Sequence, residues 1–176
     1  MVHKISKILF TTDLSKSSVQ VFEQTVALAS SLGATITILH VIDDGSGSSG
    51  SQSRMVHLVD REVYEKIRRE SQDMVKNLLI GKQRTIPVIQ DALKKLCEKT
   101  THKICGEEQE VIIAAIEVTY GNVADEIIEL SESSQCDLVV MGYNKKGSLF
   151  KALLGSPEKS VMKQSKKPVL LIPLET

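Results

Sequence analysis

The sequence predicts an α/β domain with a doubly wound, five-stranded parallel sheet and helices on both faces. Short, continuous runs of aliphatic and β-branched residues recur along the chain, as in strands buried on both sides. Amphipathic helical stripes separate these runs. Strands that alternate with helices form parallel sheets, and such sheets bind ligands beyond the carboxyl ends of their strands.

The amino-terminal part of the chain supplies two predicted strands with a helix between them. The first strand is predicted at residues 7–12 (KILFTT), with a turn at Asp13. Apolar residues spaced three and four apart predict a helix over residues 17–32, and Gly33 stands where a C-cap glycine belongs. The second strand is predicted at residues 35–42.

A long connection follows the second predicted strand. Residues 43–54 are rich in glycine and serine without periodicity, which predicts a flexible loop. A helical insertion is then expected over about residues 55–105, with Pro87 near the start of a last helix that ends near Lys99. We expect residues 1–176 to form a single domain.

The carboxyl-terminal part continues the alternation. Its predicted elements are strands at residues 110–118, 137–141 and 168–172, and helices at residues 121–130 and 155–165. The strand at residues 137–141 is expected to end at Gly142. Ser156 is expected either to cap the last helix or to donate to a bound anion. The residues that directly follow the strands are therefore the candidate ligand-binding positions.

The composition excludes several classes of protein. Of the 176 residues, 41% are hydrophobic and 25% are charged, as in soluble globular proteins. No apolar run reaches the length of a membrane span, and the first residues lack the apolar core of a signal peptide. Tryptophan is absent and aromatic residues make up 3%, which argues against binding of single-stranded nucleic acid. Three cysteines favour a reducing, cytoplasmic location.

The net charge of zero conceals segregated blocks of charge. Residues 54–105 are mainly basic, residues 106–137 hold nine acids and no base, and residues 142–168 hold seven lysines against Glu158. Such blocks are most often the solvated faces of neighbouring elements. The alternative is that the last basic block serves an anionic ligand.

The sequence carries no evident catalytic apparatus. No glycine-rich loop has the frame of a nucleotide-hydrolysing phosphate loop, since Gly81 and Lys82 are followed by Gln83. His40 lies inside a predicted strand, which favours a role in the sheet over one as a base. A dedicated enzyme is therefore not expected.

The cysteines do not form a recognisable metal site. Cys97, His102 and Cys105 have the spacing C-x4-H-x2-C, which lacks the close cysteine pairs and the fourth ligand of a zinc site. We expect no metal there and place Cys105 in a loop. A redox role for Cys97 and Cys105 stays open.

The chain resembles the universal stress protein family over residues 7–174. The segments that carry the resemblance are KILFTTDLS, LHVID, YGNVADEII, DLVVMG, LLGS and KPVLLIP, in this order. The nucleotide-binding branch of that family has the motif G-x2-G-x9-G-[ST] after its fourth strand. Gly142, Gly155 and Ser156 match its outer positions, whereas Lys145 replaces the second glycine. The resemblance implies the Rossmann-like fold of the adenine nucleotide alpha hydrolases.

The resemblance also implies an ATP site, with Mg²⁺ as the accompanying ion. The implied binding residues are Thr12, Asp13, Val41, Met141, Gly142, Lys145, Gly155 and Ser156. By this resemblance Thr12 and Asp13 lie against the nucleoside, Val41 offers its backbone to adenine, Gly142 lies beside the ribose, and Gly155 with Ser156 holds phosphates.

Two residues decide between two hypotheses of function. Lys145 either blocks a close backbone approach or pairs with phosphate, and Pro157 removes one N–H from the helix start. The first hypothesis is a stress-response regulator that binds ATP and hydrolyses it slowly at most. The second is a nucleotide-free interaction module that recruits a protein partner through its basic insertion. In both, the resemblance and an otherwise open sheet edge imply a homodimer through Val169, Leu170, Leu171 and Ile172.

Overall fold

Residues 4–43, 85–106, 111–144 and 156–174 are described by a computed structural model, in which five parallel strands form one sheet with helices on both faces. The strands are β1 (Lys7–Thr11), β2 (Thr35–Asp43), β3 (Ile113–Gly121), β4 (Leu138–Asn144) and β5 (Val169–Leu174). The described helices are α1 (Lys16–Leu32), α2 (residues 85–105), α3 (Val123–Ser133) and α4 (Pro157–Gln164). The predicted fold class is confirmed. Most of the predicted loop at 43–54, and the insertion as far as residue 84, lie outside the described residues.

The strand order places a topological switch point between β1 and β4. The order across the sheet is β3-β2-β1-β4-β5, so the chain builds outward from β1 on one side and then begins the other side at β4. Thr11 pairs with Leu39 on β2 and with Met141 on β4. The helices that follow β1 and β4 therefore lie on opposite faces, which opens a crevice between them at the carboxyl ends of the strands.

Alternate residues of the central strands fill two hydrophobic cores, one on each face of the sheet. In β1, Ile8 and Phe10 belong to the core that α1 and α2 cover, whereas Leu9 belongs to the core that α3 and α4 cover. All three side chains are at most 2% exposed. Burial on both faces explains why the strand appears in the sequence as an unbroken apolar run.

Several element boundaries differ from the predicted ones. β4 does not end at Gly142 but continues to Asn144, because Gly142 pairs with Ile172 of β5. β3 begins at Ile113 rather than at residue 110. α2 extends to residue 105, so Cys105 is helical and not in a loop. Gly33 has the left-handed C-cap conformation that the sequence predicts, with φ of 63°.

None of the helices in the described residues is long and apolar enough to cross a membrane. The longest described helix is α2, and it carries charged side chains throughout its length. The covered sides of α1 and α3 face the sheet. The helices thus act as layers of the α/β fold.

Asp137, just before β4, ties the starts of β1 and β4 together. Its Oδ2 accepts hydrogen bonds from the Ser6 N–H at 2.8 Å, the Ser6 hydroxyl at 2.9 Å and the Lys7 N–H at 2.9 Å. The Ser6 backbone N–H is the largest cause of a lowered pKa for Asp137, followed by the Ser6 hydroxyl. Ionised Asp137 therefore stabilises the junction.

Replacing Asp137 by alanine should lower the free energy of unfolding at neutral pH by about 1 kcal/mol. The pKa of Asp137 is lower in the folded protein than its ordinary value of 3.8, so the ionised carboxylate stabilises the folded state above that pH. This stabilisation is lost as the pH falls through the pKa of the folded state. Urea unfolding between pH 7 and pH 2.5 should thus show the difference shrinking below pH 3.8. Exposed Glu129 is the control, and a pH-independent difference for Asp137→Ala would contradict this role.

Candidate functional site

A cleft of about 290 Å³ opens at the carboxyl ends of β1, β2 and β4, at the switch point of the sheet. Its described lining residues are Thr11, Thr12, Asp13, Ser18, Leu39, Val41, Val123, Ile127, Met141, Gly142, Pro157, Glu158 and Leu174. The cleft brings together Thr12, Asp13, Val41, Met141 and Gly142 from three strands, as the sequence predicts for a site at this edge. Lys145 and Gly155 lie outside the described residues.

The turn between β1 and α1 is held by hydrogen bonds within its own residues. Thr12 Oγ1 accepts from the Leu14 N–H at 3.1 Å and donates to Ser18 Oγ at 3.0 Å. Asp13 Oδ1 accepts from the Ser15 N–H at 2.9 Å. Ser15 is the N-cap of α1, and Leu14 adopts the left-handed φ of 62°. The network fixes Thr12 and Asp13 at the mouth of the cleft, with Asp13 as a turn residue beside the cap.

His40 holds the backbone of the same turn from β2. Its Nδ1 lies 2.8 Å from the carbonyl oxygen of Thr12, and because a carbonyl only accepts, Nδ1 is the donor. The ring is half-buried in the sheet layer. His40 thus has the predicted role in the sheet. It also makes a specific hydrogen bond to Thr12, a cleft residue 28 positions earlier in the sequence.

On the β1 side, the backbone of Val41 faces the cleft with no strand of the described residues beside it. The Thr12 N–H donates to the Leu39 carbonyl at 3.0 Å, so the backbone groups of Leu39 point toward β1. Backbone groups of residues two apart in a strand point the same way, hence Val41 also points toward the β1 side. β1 ends at Thr11, which pairs with Leu39. The N–H and C=O of Val41 are therefore directed into the cleft beyond the end of β1.

Gly142 lies in the cleft and is closely packed against two side chains. A Cβ there would lie 2.8 Å from Leu174 Cδ2 and 3.2 Å from Val21 Cγ2. These neighbours belong to β5 and α1, which close around β4 from two sides. The absence of a side chain lets the two elements approach the strand, so the glycine has a structural reason that is independent of any ligand.

The start of α4 forms one wall of the cleft. Ser156 is the N-cap, and its Oγ accepts from the Lys159 N–H at 3.4 Å. Pro157 occupies the first turn and has no N–H. The capping role predicted for Ser156 is therefore present, and this cap uses the Oγ as an acceptor and does not use its O–H. Pro157 and Glu158 line the cleft directly.

Eight lining residues were not among the predicted site residues, namely Thr11, Ser18, Leu39, Val123, Ile127, Pro157, Glu158 and Leu174. Val123 and Ile127 come from α3, in the YGNVADEII segment, and Glu158 follows Pro157 in α4. Their spacing of four residues puts Val123 and Ile127 on one face of a helix, which is a signal in the sequence. For Glu158, the signal in the sequence is its position two residues after the predicted cap Ser156.

The cysteines form no reactive pair. Cys97 and Cys105 are eight residues apart in α2, which corresponds to roughly 12 Å along a helix axis, too far for a disulfide between them. Burial raises the pKa of the Cys97 thiol to about 11. Cys97 packs in the core under α2, so a redox role for this thiol is not supported. No metal-binding group of three or more His, Cys, Asp or Glu side chains occurs in the described residues.

A larger groove of about 590 Å³ lies away from the switch point, between α2 and β3. Its floor includes Val111, Ile113 and Ile116, and its rim includes Asp91 and Lys94. The β3 residues belong to the amino-terminal half of the strand. The groove therefore lies outside the edge at which parallel sheets bind ligands, and it shares no lining residue with the cleft.

Several proteins that are similar to this chain in sequence or fold are universal stress proteins. The sequence matches the universal stress protein family over residues 4–173. It is 27% identical over 173 residues to universal stress protein MJ0577 of Methanocaldococcus jannaschii, covering 94% of this chain and 93% of that one.

Solved structures agree with the sequence comparison. A universal stress protein in complex with cAMP has a TM-score of 0.60 at 17% identity, covering 97% of this chain and 98% of that chain. Universal stress protein UspA from Lactobacillus plantarum has a TM-score of 0.61 at 18% identity, covering 97% of this chain and 99% of that chain. At these identities the structures establish a shared fold. Together with the match over nearly the whole sequence, they show that this chain belongs to the universal stress protein family.

Proposed function

We propose that this protein binds an adenine nucleotide, ATP or a related one, in the cleft at the switch point, and that it acts as a stress-response regulator. The observation that carries the proposal is the backbone edge of Val41, which no described strand pairs on the β1 side, beside an apolar slot. Adenine presents an amino donor next to a ring-nitrogen acceptor. A peptide C=O and N–H on one side of a strand can pair with both.

The slot next to Val41 suits a flat, apolar base. Leu39, Val123 and Ile127 supply aliphatic walls from β2 and α3. Asp13 lies just after β1, where its carboxylate can accept hydrogen bonds from ribose hydroxyls, and Thr12 lies beside it. One apolar slot with a few convergent polar groups is the usual composition of a small-molecule site. The family relative solved with cAMP supports an adenine ligand.

Calorimetric titration of the purified protein with ATP, ADP and AMP, each with and without Mg²⁺, tests this proposal. We expect saturable binding of at least one of them and none of the guanine counterpart, because guanine reverses the donor and acceptor that face Val41. Flat traces for all three adenine nucleotides at millimolar concentration would contradict the proposal and favour the nucleotide-free interaction module.

We expect ATP hydrolysis to be slow at most. The described part of the cleft has two carboxylates, Asp13 at the mouth and Glu158 on α4, and one oxygen of Asp13 already accepts from the Ser15 N–H. Activation of water needs a base within hydrogen-bond reach of the attacking oxygen. Regulation by binding therefore suits this site better than turnover does.

We also propose a homodimer through β5. This strand ends the sheet order, and Leu170 on it is 38% exposed. An apolar edge strand is a template for pairing with a second copy. Light scattering of the purified protein is expected to give twice the monomer mass of 19.4 kDa, and a monomer mass would contradict the proposal.

A further inference from the structure

The described walls of the cleft carry negative charge. Among the thirteen described lining residues, the charged ones are Asp13 and Glu158, and both are acidic. Asp13 follows β1, and Glu158 lies in the first turn of α4. No ion pair to Glu158 occurs within the described part of the chain. Its charge is therefore not neutralised by a described neighbour.

The start of α4 has little capacity left to bind an anion. Pro157 has no N–H, and the Lys159 N–H is directed to Ser156 Oγ at 3.4 Å. Besides the N–H of the N-cap residue Ser156 itself, the Glu158 N–H is what remains of the donors at this helix start. The Glu158 carboxylate also compensates the positive end of the helix dipole, which otherwise attracts phosphate. Backbone donors and helix dipole are thus both weakened as phosphate-binding elements.

We propose that Glu158 selects among adenine ligands by their charge, so that the cleft favours adenosine and its monophosphate over ATP. This inference depends on the proposed nucleotide site. Each additional phosphate brings further negative charge toward a half-buried carboxylate, and repulsion between like charges grows in a partly desolvated cleft. The base and ribose contacts stay the same for all three ligands. The Glu158 side chain therefore changes the order of affinities and leaves the base specificity unchanged.

Titration of the parent protein and of Glu158→Gln with adenosine, AMP and ATP in the presence of a chelator tests this inference. For the parent we expect ATP to bind about 10-fold or more weakly than AMP. Glu158→Gln should tighten ATP binding about 10-fold and change adenosine binding by less than about twofold. Glu129→Gln is the matched control, because Glu129 is exposed on α3 and lies outside the cleft lining. This control should leave all three affinities unchanged.

Three outcomes would overturn the inference, and they are distinguishable. The parent could bind ATP as tightly as AMP or more tightly, with no change in Glu158→Gln. This result would show that Glu158 does not sense phosphate, and the proposed nucleotide site would be unaffected. ATP binding that needs Mg²⁺ and is weakened by Glu158→Gln would make Glu158 part of a cation site instead. Absence of binding for all three ligands would remove the proposed function along with the inference.

Discussion

Replacing Val123 by phenylalanine is expected to weaken adenine nucleotide binding strongly and to leave the fold nearly as stable as the parent. Val123 is the first residue of α3, lines the cleft and is only partly buried. A phenyl ring at this position would occupy the slot beside Val41 in which we place the base. We expect the Kd to rise at least about 30-fold, which corresponds to about 2 kcal/mol of binding free energy.

The stability of the Val123→Phe variant should change by less than about 1 kcal/mol. Valine and phenylalanine have similar helix propensities, and the Asn122 cap accepts from backbone N–H groups that the substitution leaves in place. Val88→Phe is the matched control, because it makes the same change at a side chain that is 69% exposed on α2. Calorimetry and thermal unfolding of both variants check the prediction. Nucleotide binding unchanged in Val123→Phe would place the ligand elsewhere.

The sheet could be predicted from the sequence because its central strands are buried on both faces. Leu9 faces one core and Phe10 the other, so consecutive residues of β1 must be apolar. The strand ends could not be predicted as well. β4 continues beyond Gly142 because β5 offers a pairing partner as far as Leu174, and that partner is known only once the sheet is assembled.

The position of the cleft also followed from the sequence, whereas the acidic charge of its described lining did not. Thr12, Asp13 and Val41 come just after or at the end of strands, so a parallel sheet must bring them to one edge. The charge of residues 142–168 is basic as a sum, which suggested an attraction for anions. In the structure the charged residue that this block contributes to the described cleft lining is Glu158, while Lys166 pairs with Glu132 at 3.0 Å. The net charge of a sequence segment does not show which of its side chains face the cleft.

The contact between His40 and Thr12 shows a second limit of sequence analysis. It depends on the register of β1 against β2, in which Thr11 lies opposite Leu39. A shift of one residue would turn His40 to the other face of the sheet. Nothing in the local sequence of either strand determines that register, so the hydrogen bond to the cleft residue is visible only in the fold.

Replacing Phe22 by alanine should cause the largest loss of stability, about 3–5 kcal/mol. Phe22 on α1 is 1% exposed and packs on Phe10 of β1, with ring centroids 5.1 Å apart and planes inclined by 32°. The substitution removes a buried ring and leaves a cavity between helix and sheet. For a chain of this size, the midpoint of thermal unfolding should fall by roughly 6–20 °C. Urea and thermal unfolding measure both quantities.

Phe22→Leu and Val88→Ala separate the possible causes of that loss. Leucine keeps most of the buried volume and should cost less than half as much as alanine, and Val88→Ala, at an exposed position, should change little. A loss below about 1 kcal/mol for Phe22→Ala would contradict close packing of α1 on β1. These two elements flank the turn that carries Thr12 and Asp13, but the alanine substitution leaves the hydrogen bonds of that turn in place. A ligand that binds this turn at 100 times its Kd should therefore stabilise Phe22→Ala by about 2.7 kcal/mol, as it does the parent.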